Sequence, residues 1–259
     1  MPSNFKPIHR QETLGDHVLA QIRELLLSGK VMPGEVLSLR PTAQALGVSM
    51  TPVREAVYQL VAERALQIAP NRSIKVPVLS AEEFCEVTRL RLLNEGYAVE
   101  RAMENVSRGL LKELRALNRD LAEAMRQSAE NPERDNSDIV ALNKTLHFTL
   151  YEAAGMPLLT KIIEGCWLRI GPILNYDLRK GSERTREQHA VKFHDQLIDG
   201  LERGDTDAAR TALHRDICST FHYILQKEYQ TSSKVLGADD IPELGLTTPA
   251  GQKETAASE

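Results

Sequence analysis

The chain has 259 residues, which is enough for about two domains of ordinary size. Hydrophobic residues make up 42% of it and charged residues 26%, a balance typical of folded proteins and unlike that of disordered chains or membrane proteins. The formal net charge is −4, yet residues 1–78 contain nine Lys and Arg against six Asp and Glu. Positive charge is therefore concentrated at the N-terminal end, so a nucleic-acid partner is not excluded.

Targeting and redox features are missing from the sequence. No stretch approaches about 18 uninterrupted apolar residues, and the N-terminus lacks an apolar signal core. We therefore expect a cytoplasmic protein that does not enter a membrane. The cysteines Cys85, Cys166 and Cys218 lie far apart without C-x-x-C spacing, which favours buried thiols over a disulfide framework or a zinc finger.

Residues 10–78 read as a winged helix-turn-helix. Apolar residues recur at steps of three and four from Thr13 to Leu27, which predicts a helix with one buried stripe. A turn, a short helix over about 41–46 and a corner at Gly47 follow, and Ser49 or Thr51 can cap the next helix. The remaining elements are that helix, with apolar residues Val53, Ala56, Val57, Leu60 and Val61, and a hairpin of Leu66–Ala69 and Ile74–Val78.

Residues 80–229 read as an all-α antiparallel bundle. Ser80 can cap its first helix, and short Gly-, Pro- or Ser-containing breaks separate the later ones. The predicted helices span 80–104, 107–130, 135–154, 157–178, 183–203 and 205–229. Residues 230–259 are rich in Gly, Pro, Ser, Thr and acid without apolar periodicity, and we expect a disordered tail.

The run Gly47-Val-Ser-Met-Thr-Pro-Val-Arg-Glu-Ala56, preceded by Val31-Met-Pro-Gly34, resembles the signature of the GntR superfamily of bacterial transcriptional regulators. The resemblance implies that the helix after Gly47 enters the major groove of double-stranded DNA. Residues that match DNA-contacting positions of the family are Arg40, Ser49, Thr51 and Arg54. For Ser49 and Thr51, helix capping is an equal alternative, and one residue can do both.

The sequence departs from this family pattern at the recognition helix and in the wing. Many relatives have Arg where Met50 stands, and Met50 cannot donate a hydrogen bond to a base, so the operator sequence cannot be transferred. Relatives often have Gly where Ala65 and Ser73 stand, which predicts a hairpin that is less tightly turned. Arg72 at the tip remains available for a backbone or minor-groove contact.

The second half resembles the FCD type of effector domain. The resemblance rests on Leu142-Asn-Lys-Thr-Leu-His-Phe148, on Glu152-Ala-Ala-Gly155 and on the segment from His194 to Asp205. In metal-binding members, an Asp or Asn four residues before a His, a second His and a third His 22 residues later hold a divalent cation. The matching residues here are Asn143, His147, His194 and, because 194 + 22 = 216, Asp216.

This altered set has two interpretations. Two imidazoles and two oxygen ligands suit zinc, nickel or manganese, with positions left open for a ligand molecule. The alternative is a set of polar pocket residues without a metal. His214 and His189 lie close by in sequence, but helical geometry turns His214 about 160–200° from Asp216, so we expect it at the surface.

The resemblance also implies a pocket for a small-molecule effector. Arg91 precedes Glu95 by four residues, and an Arg facing the pocket would hold a carboxylate effector by two hydrogen bonds. The alternative is an ordinary salt bridge along the helix. Trp167 and Arg169 would line the same pocket, although a lone Trp in a bundle is usually core. The altered ligand set leaves a larger effector, such as an acyl thioester, open.

Together these features predict a homodimeric transcriptional regulator, a repressor by resemblance, that binds a short inverted repeat. A helical metalloenzyme is one rival, but no catalytic triad, Cys nucleophile or H-E-x-x-H helix is present, so we predict no enzyme. A ligand-independent DNA-binding protein is the other, but an acidic bundle opposes DNA wrapping.

Overall fold

We describe the protein from a computed structural model, in which residues 13–131, 133–179 and 183–228 are described. The N-terminal region contains three helices and a small sheet. Its elements are α1 (Leu14–Leu27), β1 (Val36–Leu37), α2 (Leu39–Leu46), α3 (Met50–Ala62), β2 (Gln67–Ile68) and β3 (Ile74–Lys75). The strands form an antiparallel sheet in the order β1-β3-β2, so the predicted hairpin gains a third strand that the sequence pattern did not indicate.

Local sequence explains these elements. Thr13 and Asp16 form a capping box that starts α1, and Val18, Ile22 and Leu26 form its buried stripe. The helix α2 ends at Gly47, whose φ of 65° is a left-handed conformation that glycine adopts without strain. In the wing, however, the positive φ angles lie at Arg64 and Arg72 rather than at glycines. The hairpin therefore forms at the cost of placing two arginines in the left-handed region.

The C-terminal region is helical throughout its described residues. Its helices are α4 (Ala81–Ala102), a 3-10 turn (Met103–Asn105), α5 (Arg108–Glu130), α6 (Ser137–Ala153), α7 (Pro157–Arg179), α8 (Glu183–Glu187), α9 (His189–Arg203) and α10 (Thr206–Glu228). The helix α4 packs against α6, α7 and α10, while α5 packs against α6 and α9. This confirms the predicted fold class, a winged helix-turn-helix joined to an all-α bundle. The predicted tail, 230–259, lies outside the described residues.

Two expectations are wrong in detail. The predicted helix over 183–203 is divided at Gln188, whose φ of 52° interrupts it and whose side-chain amide donates to the carbonyl oxygen of Ala122 on α5. His214 is buried, because α10 packs against α4 as well as α9 and both of its faces are covered. Its Nε2 lies 3.0 Å from the carbonyl oxygen of Leu92, against Gly96, where a Cβ would approach Nε2 to 2.7 Å.

The two regions share one continuous hydrophobic core, which runs from Val18 in α1 to Ile217 in α10. Ion pairs reinforce the junction. Arg23 of α1 contacts both Glu63 at the end of α3 and Glu164 of α7, and Lys144 of α6 contacts Glu24. No helix among the described residues has both the length and the apolar character needed to cross a membrane.

Candidate effector and DNA-binding sites

Three predicted metal ligands meet inside the bundle. His147 comes from α6, His194 from α9 and Asp216 from α10, and all three side chains are buried. The Nε2 atoms of His147 and His194 lie 3.2 Å apart. The Oδ2 atom of Asp216 lies 3.4 Å from Nε2 of His147 and 3.6 Å from Nε2 of His194. Side chains that are distant in sequence therefore converge, as the resemblance to the FCD domain implies.

The α9–α10 hairpin brings two of these ligands together. Gly204 closes α9 in a left-handed conformation, and Asp205 accepts from the backbone N–H of Ala208 at the start of α10. Close approach of the helices depends on Gly200, where a Cβ would lie 2.6 Å from the backbone nitrogen of Ala209. This tight crossing holds His194 and Asp216 on neighbouring helices that face α6.

Hydrogen bonds at the far side of each ring define the histidine tautomers. Nδ1 of His194 lies 3.1 Å from the amide oxygen of Asn118, which can only accept, so this nitrogen donates. Nδ1 of His147 lies 3.0 Å from the hydroxyl oxygen of Tyr151, whose proton is donated to Glu95. With both protons on Nδ1, both Nε2 atoms present lone pairs to Asp216, and three acceptors then face one another.

Electrostatics at the cluster favour a cation. Burial lowers the pKa of His147, which keeps the ring neutral near pH 7. Burial raises the pKa of Asp216, but hydrogen bonds and charge from the two neighbouring imidazoles outweigh burial and hold that pKa well below its usual value, which requires a proton on at least one of the facing Nε2 atoms. With lone pairs on both rings instead, the buried carboxylate is stable only with a positive charge among the three groups, which is a metal ion or, without one, a proton.

The cluster also has the dimensions of a metal site. A point equidistant from the three ligand atoms lies about 2 Å from each, the length of zinc–nitrogen and zinc–oxygen bonds. The partners of Nδ1, Asn118 and Tyr151, are of the kind that orients imidazoles at metal sites. The residues present therefore fit a divalent cation bound by His147, His194 and Asp216.

A small cavity adjoins the cluster. Its volume is about 20 Å³, room for about one water molecule. The residues that line it are Arg91, Asn143, His147, Trp167, Leu174, Leu178, Asp216, Ile217 and Thr220. Asn143 thus joins His147 and Asp216 at this cavity, whereas His194 is not among its lining residues. An organic effector needs more space, which the side chains of α7 would have to provide.

Arg91 forms the salt bridge with Glu95 that the sequence allowed, and it also lines the cavity. It is buried, its Nε donates to Oε1 of Glu95 at 2.6 Å, and its Nη2 lies 3.2 Å from Oε2, so the salt bridge exists. The same side chain lines the cavity. Burial would lower the pKa of Arg91, but Glu95 outweighs burial and raises it, so the guanidinium stays charged. A fixed positive charge therefore lines the cavity beside the predicted metal ligands.

The other two predicted pocket residues differ. Trp167 lines the cavity and donates from Nε1 to Oε1 of Glu95 at 3.0 Å. Arg169 is not among the cavity-lining residues; its Nη2 lies 3.8 Å from Oε1 of Glu83, and its Nε is buried without a hydrogen-bond partner in the described residues. The interpretation of Arg169 as an effector ligand is not supported by this arrangement, because a residue two positions from Trp167 points to another side of the helix.

The predicted DNA-contacting residues are all exposed. They are Arg40 in α2, Ser49, Met50, Thr51 and Arg54 at the start of α3, and Arg72 at the wing tip. Ser49 is the N-cap residue of α3, but its side chain makes no capping hydrogen bond. Its hydroxyl is thus available to a phosphate, and the balance between the two roles moves away from capping.

Sequence reasoning missed several residues. On α3, Tyr58 is 54% exposed and lies one helical turn beyond Arg54 on the same outward face. At the cluster, Tyr151 could have been found as the residue four positions after His147. Asn118 carries no such signal, because it stands 76 residues from His194 and only the packing of α5 against α9 brings them together.

Comparison with known proteins decides the family. The profile described as "Bacterial regulatory proteins, gntR family" matches residues 14–76, and the FCD domain profile matches residues 86–217. The HTH-type transcriptional regulator McbR of Escherichia coli is 32% identical over 213 residues, which cover 82% of this chain and 92% of McbR. The chain belongs to the GntR family. It is a transcriptional regulator with an FCD domain.

Further relatives agree with this assignment. A probable D-xylose utilization operon transcriptional repressor of Paenarthrobacter nicotinovorans is 27% identical over 78% of this chain and 86% of its own length. The solved structure of E. coli McbR/YncC has a TM-score of 0.72 at 29% identity and covers 83% of this chain and 99% of that one. These relatives are regulators rather than enzymes. A GntR-type helix-turn-helix binds DNA, and an FCD domain responds to a small molecule.

Proposed function

We propose that this GntR regulator is a dimeric repressor that a small carboxylic acid releases from an inverted-repeat operator, through a divalent metal in the FCD domain. DNA binding is assigned to residues 10–78 and effector response to residues 80–229. The observation that carries the proposal is the convergence of His147, His194 and Asp216 beside Arg91. Neutral imidazoles, an ionised carboxylate and a fixed cation are what a metal and an anionic ligand need together.

The residues divide the work of effector binding. His147, His194 and Asp216, with Asn143 at the cavity wall, would hold the metal, which supplies Lewis-acid attraction for an effector oxygen. Arg91 would orient the effector carboxylate, and Trp167 would limit its size. Because the cavity has room for only about one water molecule, binding an acid would require side chains of α7 to move.

A dimer is supported by an exposed apolar stripe on α4. Leu90, Leu93 and Tyr97 are 41%, 52% and 45% exposed and follow one face at steps of three and four. A two-fold axis at this stripe would pair α4 with its copy and present two recognition helices to two half-sites. Leu93→Glu is expected to yield monomers by light scattering, with intact helical circular dichroism and much weaker operator binding.

The metal is tested first, by metal analysis of the purified protein. Wild type is expected to carry about one equivalent of zinc, nickel or manganese, and the His147→Ala, His194→Ala double variant to carry much less. The control is His189→Ala, His222→Ala, which removes two solvent-accessible imidazoles. Equal metal content in wild type and in the first double variant excludes this site.

The effector is tested next, by a thermal-shift screen of small carboxylic acids with the metal-loaded protein. A ligand at 100 times its Kd adds about 2.7 kcal/mol of stability, which a melting curve resolves. The acid found should release the protein from an operator obtained by in vitro selection. If no acid alters melting or operator binding, the carboxylate effector is wrong; if the acid tightens operator binding, the repressor mechanism is wrong.

A further inference from the structure

The fully buried carboxylate of Glu95 lies between the predicted metal ligands and Arg91 at the cavity wall. Glu95 is 0% exposed and accepts from three side chains that the fold brings to it. Arg91 and Trp167 donate to Oε1, at 2.6 Å and 3.0 Å, while Arg91 and Tyr151 donate to Oε2. Arg91 and Trp167 line the cavity, and Tyr151 contacts His147, so Glu95 touches the residues on both sides without lining the cavity itself.

The direction of these hydrogen bonds matters for His147. A carboxylate only accepts, so the hydroxyl of Tyr151 must donate to Glu95. The hydroxyl oxygen is then left as an acceptor for Nδ1 of His147, which lies 3.0 Å away. A proton on Nδ1 leaves Nε2 with the lone pair that faces His194 and Asp216.

We propose that Glu95 is a positioning residue that fixes the tautomer of His147 through Tyr151 and holds Arg91 at the cavity wall. The proposal rests on the proposed function for its use in metal binding, but the tautomer is a property of the protein without metal. The Glu95 carboxylate thereby positions both His147, for binding a cation, and Arg91, for binding an anion.

We call the hydrogen-bond chain from His147 through Tyr151 to Glu95 the relay. The variant Glu95→Gln tests its direction, because the amide nitrogen reverses the hydrogen bond between residue 95 and Tyr151. The amide oxygen belongs at the Oε1 position, where Arg91 Nε and Trp167 Nε1 are donors that cannot turn round. The amide nitrogen then takes the Oε2 position, where it no longer accepts from Arg91 Nη2 and instead donates to the hydroxyl of Tyr151, which can rotate and donate to Nδ1 of His147. His147 would carry its proton on Nε2, where it points at the other ligands and blocks metal binding.

The first measurement uses the metal-free, full-length protein and needs no ligand. Long-range ¹H–¹⁵N NMR spectra separate the two histidine tautomers, and His147 is expected on Nδ1–H in wild type and on Nε2–H in Glu95→Gln. In Tyr151→Phe the imidazole of His147 loses the hydroxyl that accepts from Nδ1, and both tautomers of His147 are expected. The control is Glu86→Gln, the same change at an exposed position of α4, which should leave the spectrum unchanged.

The second measurement is zinc affinity by competition with a chelator. Residues that orient metal-binding imidazoles typically change affinity 10- to 100-fold, and Glu95→Gln is expected in that range. The double variant Glu95→Gln, Tyr151→Phe should bind zinc more tightly than Glu95→Gln alone, because it has no reversed relay. A purely structural role for Glu95 predicts the opposite, a further loss in the double variant.

The outcomes separate the two proposals. If His147 stays on Nδ1–H in folded Glu95→Gln, or if the double variant is weaker than the single one, the relay is wrong. If Glu95→Gln does not fold, the spectrum of Tyr151→Phe decides, and an unchanged Nδ1–H signal there overturns the relay. If wild type binds no zinc while the tautomers change as expected, the relay stands and the metal in the proposed function fails.

Discussion

At the scale of single residues, Arg54 and Met50 should produce different defects, although both lie exposed at the start of α3. Arg54→Ala removes charge-assisted contacts and is expected to cost about 1–3 kcal/mol of binding per recognition helix. Met50→Arg adds a donor and should shift preference toward guanine at one position of each half-site. Footprinting on half-site variants at fixed salt measures both; an unchanged affinity for Arg54→Ala would refute the assigned recognition helix.

Arg72 combines a strained backbone with a charge. Its φ of 61° disfavours any side chain, so Arg72→Gly should stabilise the fold by up to about 1 kcal/mol while weakening DNA binding. The control Arg72→Ala removes the charge but keeps the strain, and it should weaken DNA binding equally without the gain in stability. Chemical denaturation and operator titration of both variants check the pair. Opposite ranking of the two stabilities would contradict the strain.

The residue scale is also where sequence analysis reached its limit. The FCD-like sequence motifs predicted His147, His194 and Asp216 as metal ligands, because the residue spacing within α6 and between α9 and α10 can be counted along the chain. Spacing cannot show what approaches from a third helix. Asn118 and the relay from Glu95 therefore emerged only from the fold, and so did the burial of His214, which depends on α4 covering α10.

At the scale of elements, helical periodicity and capping residues predicted most helix boundaries to within about two residues. The break at Gln188 was missed because glutamine carries no turn signal, and the strand β1 was missed because two residues have no detectable period. Both features depend on long-range partners, Ala122 for the break and β3 for the strand.

Helix crossing at the α9–α10 hairpin gives the prediction at this scale. Gly200→Ala would set a Cβ within 2.6 Å of the backbone of Ala209, so the helices must separate at a cost of about 1–3 kcal/mol. Metal affinity should fall as well, because the separation moves His194 relative to Asp216. The control is Gly165→Ala in α7, where nothing lies within 4 Å of the added Cβ, and a stabilisation of up to about 1 kcal/mol is expected. Equal melting temperatures for the two variants would contradict the tight crossing.

At the scale of the whole molecule, the ion pairs of Arg23 connect α7, which lines the proposed effector site, to α1 and α3 of the DNA-binding region. The helix α6 carries Asn143 and His147 at the cavity and Lys144 at the junction with α1, while α7 carries Trp167 at the cavity and Glu164 at the junction. An open cleft of about 430 Å³ lies along this junction. Movement of α6 or α7 on effector binding would therefore reach α1.

This arrangement predicts that Arg23→Ala uncouples the two sites. The ratio of operator Kd values with and without zinc and effector should fall toward one, while metal affinity alone stays within about twofold. Arg115→Ala is the control, because Arg115 also pairs with two carboxylates, Asp199 and Glu202, but lies wholly within the bundle. Operator titrations in the four conditions measure the coupling, and an unchanged ratio in Arg23→Ala would remove Arg23 from the route.

The shared core has a consequence for engineering. Because α1 packs against α7 within one hydrophobic cluster, the DNA-binding region and the bundle should melt in a single calorimetric transition. Ala20 and Leu27 line the junction cleft together with Phe148 and Thr160, so a chimera that joins this DNA-binding half to the effector half of another regulator would replace one side of the cleft with foreign side chains. A biosensor built from this protein therefore needs its junction transplanted together with its recognition helix.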